Sequence, residues 1–245
     1  MKNKFTIFIL YFCLTINLYS DDLFIEAKDI TINKSLNTSI FEKDVSIETG
    51  HKQITSQFAK YNKNTQIVVL KDSITAVDKL NNTLKSNYAE YNNIKELFKT
   101  KGKTTLTTSE NYSLDGEDIY FDNKNKIIKS QNSAILKDLS GNEIYLENFE
   151  YLINENIFKS IGLIEITDQY KNTYKFSQIY IDTKKREVLG TDIKAFLNDD
   201  DFKINSKNNP RIFANTLKLN DKGSSFDKSI FTLCELKENE KCPPW

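Results

Sequence analysis

Cysteine, proline and glycine are scarce in this chain, with three, three and seven residues among 245, and histidine, methionine and tryptophan occur once each. One histidine (His51) and three scattered thiols cannot assemble the ligand set of a zinc, haem or iron–sulfur centre, so no metal and no cofactor is expected. The glycines, at 50, 102, 116, 141, 162, 190 and 223, never cluster into a loop able to cradle a phosphate. A surplus of one charge sign is also missing. Lysine plus arginine and aspartate plus glutamate both number 34, which excludes the basic surface that nucleic-acid binding needs. Finally, no window sustains the 3.6-residue hydrophobic period, so helices are close to excluded.

The longest apolar run, residues 5–18, follows Lys2 and Lys4 and is broken by Thr6, Thr15 and Asn17. A bilayer span needs roughly 20 apolar residues, so residues 1–20 read as a signal peptide cleaved near Ser20. Cys13 follows bulky Phe12 where lipid attachment requires a small residue, and it leaves with the leader. The exported chain then carries 32 basic and 34 acidic residues and two cysteines, Cys234 and Cys242. An oxidising compartment permits each of them a disulfide.

What the sequence has in quantity is repetition. Ile54, Leu84, Leu114, Ile144 and Tyr174 are spaced by 30 residues, with Ile25 lying 29 before the first and Ile212 38 after the last. Two residues after each anchor stand Ala27, Ser56, Ser86, Gly116, Leu146, Phe176 and Ala214. Five after it stand Ile30, Ala59, Ala89, Ile119, Phe149, Ile179 and Leu217, and seven after it Ile32, Tyr61, Tyr91, Phe121, Tyr151, Ile181 and Leu219. Steps of two, three and two describe a strand with a bulge or corner in its middle, keeping one face apolar. Asn33, Asn62, Asn92, Asp122, Asn154 (two places late), Asp182 and Asn220 then close the strand, since Asn and Asp tolerate left-handed angles and bond their own backbone. A second apolar pair follows, as at Ile67 and Val68 or Ile127 and Ile128. A third, alternating stretch comes next, as at Ile74 and Ala76 or Ile164 and Ile166. Each unit is read as about three short strands, seven units in all. Residues 198–210 form an insertion loop within a repeat domain spanning 21–233.

Stacked β units bury a continuous apolar interior. Small inward residues in the early units (Ser56, Ala59, Ser86, Ala89, Gly116) against large ones later (Leu146, Phe149, Phe176) predict a tapering slot, each methylene buried there contributing about 0.8 kcal/mol. Two readings stay open: a closed core, or a groove for acyl chains. The groove candidates are Ile54, Ala59, Tyr61, Leu84, Ala89, Tyr91, Leu114, Ile119, Phe121, Ile144, Leu146, Phe149, Tyr151, Phe176 and Ile179. Catalysis is not expected. Asp115 with Glu117 and Asp118, and the acids at 199–201, sit in turns or on alternate faces, and His51 lies in a turn. The end strands of such a stack carry unpaired backbone groups that suit addition of another chain's strand.

The repeat, especially residues 54–62, 84–91 and 144–151, resembles that of the organic solvent tolerance (OstA-like) family of lipopolysaccharide transport proteins. The ending, Phe231, Thr232, Leu233 and Cys234 followed by Cys242, Pro243, Pro244 and Trp245, is similar to the segment joining the periplasmic N-terminal domain of the LptD type to its β-barrel. The resemblance covers essentially the whole exported chain. It implies an all-β fold, a repetitive twisted β-jellyroll with an open, solenoid-like groove, in the periplasm and associated with the cell outer membrane. It further implies passage of lipopolysaccharide acyl chains and strand addition to a periplasmic bridge protein of the same fold. Further partners implied are an outer-membrane β-barrel and its lipoprotein plug, with Cys234 and Cys242 forming disulfides to cysteines beyond the barrel, or, in a lipid-binding piece without a barrel, pairing locally or staying free. Residues 234–245 would be the linker to that barrel, of which this sequence holds no strands. A ligand-free structural β-solenoid at the cell surface is the alternative. A carbohydrate-acting β-helix would need carboxylates in register on one face, and the repeat supplies none.

Overall fold

A computed structural model describes residues 23–50, 52–198, 210–220 and 222–233. Among them every regular element is a strand. The order begins with β1 (Phe24–Glu26) and β2 (Asp29–Asn33), followed by long strands β3 (Thr38–Thr49), β4 (Lys52–Asn62), β5 (Ile67–Asp78) and β6 (Thr83–Asn92). Four broken pairs come next: β7 (Leu97–Thr100) with β8 (Lys103–Thr107), β9 (Ser113–Glu117) with β10 (Tyr120–Asp122), β11 (Ile127–Ser130) with β12 (Ala134–Lys137), and β13 (Glu143–Leu146) with β14 (Phe149–Leu152). Long strands resume with β15 (Ile157–Thr167), β16 (Thr173–Asp182), β17 (Glu187–Phe196) and β18 (Arg211–Asn220), and the chain closes with β19 (Gly223–Asp227) and β20 (Ile230–Thr232).

Each long strand, or each broken pair, is one passage across the sheet, and every pairing is antiparallel, so the fold is a continuous meander. Each passage bends midway. In β4 the pairing register with β3 and β5 shifts between Thr55 and Phe58, the place where the anchor pattern takes its step of three. An extra residue in one strand kinks it and lets inward side chains resume on the far side of the bend. The bends line up into a fold line, and the halves close toward each other as two walls of a β-jellyroll. The first wall carries Ile54, Leu84, Leu114 and Ile144; the second carries Ala59, Ala89, Ile119 and Phe149. All eight are at most 2% exposed and belong to one apolar core. At the fold line, buried hydroxyls occupy the bent backbone: Thr100 accepts from the Ile119 amide at 2.9 Å and receives the Thr104 hydroxyl at 2.8 Å.

The repeating unit therefore differs from three short strands. It is a hairpin of two bent passages, and the second and third apolar stretches are the two halves of the returning one. The segment 92–100, which superficially resembles a helix, is a turn leading into β7.

Two lines of turns border the walls. On the second wall the turns 34–37, 63–66, 93–96, 123–126, 153–156 and 183–186 each end on a left-handed residue, such as Gln66 (φ 54°) and Lys126 (φ 56°). Except before 153–156, where Leu152 precedes the turn, the preceding Asn or Asp accepts amides from it, as Asn62 does from Asn64 and Thr65. These turns also bond to one another across the 30-residue period, Asn93 N to Gln66 O at 3.0 Å and Asn123 N to Glu96 O at 3.1 Å. The first wall ends in turns at 78–82, 108–112, 138–142 and 168–172. Asp78, Asp138 and Asp168 each accept two backbone amides and the side-chain amide of the Asn four residues on. The leader, His51, most of the insertion, Cys234, Cys242 and the linker 234–245 lie outside the described residues.

Candidate functional site

The two turn lines are the lips of a mouth between the walls. Toward the C-terminal end the mouth stands open as a cleft of about 600 Å³. Ile144, Ile166 and Tyr174 face it from the first wall, and Ile181, Val188 and Leu219 from the second. Tyr174, Val188 and Leu219 are half-buried, while the isoleucines behind them are nearly closed off. The lips are polar: Asp138 and Asp168 on one side, Arg186 and Lys222 on the other. Asp168 is occupied by its own turn and also accepts the Tyr174 hydroxyl at 3.3 Å. Burial pushes the Tyr174 phenol up to about 12, with the Asp168 charge acting the same way. The arrangement, apolar between the walls and charged at the rim, suits an amphiphile whose chain goes in and whose polar head stays out.

Toward the N-terminal end the same mouth is shut. Of the small residues there, Ser56, Ala59 and Ala89 are at most 3% exposed, whereas Ser86 and Gly116 border open space at the fold line. Fourteen of the fifteen groove candidates are buried and line the interior; Tyr61 is half-buried. Only Ile144 among them reaches the open cleft. Phe149, Tyr151 and Phe158 pack as an aromatic group, Tyr151 stacked on Phe158 with centroids 4.3 Å apart, and burial pushes the Tyr151 phenol up to about 12. Near the fold line Phe176 lies against Gly190, where an added Cβ would overlap its ring.

Ile166, Ile181, Val188 and Leu219 are lining residues that the candidates omit. Ile181 and Leu219 stand seven after their anchors, as chosen candidates do, while Ile166 and Val188 belong to the third and second apolar stretches, from which no candidate was taken. A larger hollow of about 800 Å³ lies along the fold line, where Ile74, Gly116, Ala134, Ile135 and Tyr145 border it together with Lys85, Lys103, Asp115 and Glu117. Asp115 accepts the Thr105 hydroxyl and Asp118 the Gly102 amide, which gives both carboxylates structural partners. Among the described residues no group of three or more His, Cys, Asp or Glu could hold a metal ion.

No family model matches the chain, and no curated protein matches it. Among solved structures, it is similar to LptH from Pseudomonas aeruginosa, described as the LptA homologous periplasmic component of the conserved lipopolysaccharide transport device. Identity is 11%, coverage 70% of this chain and 82% of LptH, and the TM-score 0.20. A superposition that loose identifies neither a family nor a ligand, and the fold rests on the strands themselves.

Proposed function

We propose that this chain binds the acyl chains of lipopolysaccharide between its two walls and passes them toward the outer membrane during outer-membrane assembly. The observation that carries the reading is the open cleft, apolar on both walls, charged at both lips and continuous with the buried interior. Lipopolysaccharide in particular, and a periplasmic location at the outer membrane, come from the resemblance of the repeat and of the Cys–Pro–Pro–Trp ending to the lipopolysaccharide-assembly family. The sheet edges support strand addition to a bridge protein of like fold. Among the described residues β1 and β2 pair only with β3, leaving Phe24, Ile30 and Ile32 more than half exposed, and at the other end β19 and β20 pair only with β18. A β-barrel and its plug would follow at the C-terminal side.

The tightly closed N-terminal portion favours the second reading, a structural solenoid without ligand. Mass spectrometry of organic extracts from the gently purified protein separates the two. Lipid A species bound to the parent and depleted from a folded Val188→Arg variant support transport; an empty parent supports the solenoid.

A further inference from the structure

Lys52 is out of keeping with the interior it enters. It is the first residue of β4, shares the inward parity of Ile54 and Ser56, and is 6% exposed. Its Nζ crosses the mouth to lie 3.5 Å from the Phe121 ring centroid and 6.0 Å from that of Tyr91, both on the second wall, and donates no hydrogen bond among the described residues. At the same place in later units Asn82, Asn142 and Asn172 give their amides to Asp78, Asp138 and Asp168, and Tyr112 closes the mouth with a ring. Lys52 has neither solution. Desolvating an ammonium without an acceptor is costly, and ring faces return only about 0.5–2 kcal/mol. Beside Phe121 a recess of about 110 Å³ opens at the lips, bordered by Lys79, Lys126 and Asn154 and by Asn123, whose side-chain amide is given to Glu96 at 2.7 Å and whose carbonyl accepts from Lys126 at 2.9 Å. Asp78 also borders this recess, but its oxygens are occupied by its own turn.

We propose that Lys52 is an anion site at the shut end of the mouth: an oxyanion, phosphate or carboxylate, on the head of an acyl amphiphile draws the ammonium off the Phe121 ring. The chain behind that head then occupies the gap the lysine side chain leaves. The inference rests on the reading of the interior as a lipid compartment. An ion pair made by a pre-desolvated ammonium gains its Coulomb and hydrogen-bond energy without a further loss of hydration, which is why an unpartnered buried lysine favours an anion over water.

Isothermal titration calorimetry of the full chain with dodecyl phosphate, dodecyl maltoside and inorganic phosphate tests this, on the parent, Lys52→Met and Lys52→Arg, each first shown to be folded. The parent is expected to bind dodecyl phosphate about tenfold tighter than the neutral amphiphile, as one charge-assisted bond of about 1.5–3 kcal/mol allows. Lys52→Met should erase that preference and leave maltoside binding unchanged, and Lys52→Arg should keep it. Lys52-dependent binding of inorganic phosphate as tight as that of dodecyl phosphate supports the anion site and names a free anion as its source. A preference that survives in Lys52→Met overturns the site while leaving the lipid compartment standing. Failure of the parent to bind either amphiphile overturns both.

Discussion

The two ends of the mouth are built from the same 30-residue unit and end up opposite in character. At the N-terminal end Ala59, Ala89 and Ser56 are buried, and Lys52 reaches across the lips onto Phe121. At the C-terminal end Tyr174, Val188 and Leu219 remain half-exposed across a gap. Side-chain size accounts for only part of the open space: Ser86, Gly116 and Ala134 border the hollow at the fold line, while the cleft at the lips opens beside larger residues. Phe176 packs over Gly190 on the neighbouring strand.

The largest contrast should come from one substitution made at both ends. Leu84→Ala, at 2% exposure in the shut end, is expected to cost about 3–4 kcal/mol, against about 1 kcal/mol or less for Leu219→Ala at the open lip. Chemical denaturation of the two variants measures this, and equal losses would mean that the open end is as tightly packed as the shut one.

Lys52 supplies a contrast in pH. Burial pushes its pKa from the ordinary 10.5 to about 7, with Lys126 pushing the same way while Asp78, Glu96 and Asp122 act in the opposite sense. The ring faces, which favour the cation, also work against the fall. Between about pH 7 and 10.5 the unfolded chain binds the more protons, so parent stability rises with pH across that window. Lys52→Met removes the buried charge and should stabilise the chain by about 3 kcal/mol at pH 6, the gain vanishing above pH 10.5. Thermal melts of both proteins across this range check the slope; parallel pH curves would show that the ammonium carries no burial penalty.

A smaller effect is expected from Gly190→Ala, which forces the Phe176 ring to move and should cost about 1–3 kcal/mol by calorimetry. Smallest is Lys171→Gly, which relieves a left-handed lysine (φ 64°) in the lip turn and should raise stability by up to about 1 kcal/mol.

Much of this fold is legible in the repeat. The offsets of zero, two, five and seven from Ile54 record the bulge directly, because a step of three is the only way an inward face survives an added residue. The Asn that follows each strand marks one turn line. The other turn line was equally periodic at Asp78, Asp138 and Asp168 with their Asn partners, but Thr108 and Tyr112 break the pattern in between. The joining of the second and third stretches into one passage was obscured because Gly102 and the run 130–133 read as turns. The position of the opening was not legible, since it depends on how far two walls diverge over a dozen passages rather than on any local spacing. Lys52 was legible by parity with Ile54, yet its neighbour Gly50 made it look like part of an exposed turn.

The most direct test of the lipid compartment is photo-crosslinking with lipopolysaccharide, a benzophenone side chain being placed either at Val188 inside the mouth or at Ile135 on the outer face of the first wall. The account predicts a lipopolysaccharide adduct from position 188 and none from position 135. Adducts of equal yield at both, or at 135 alone, would contradict it.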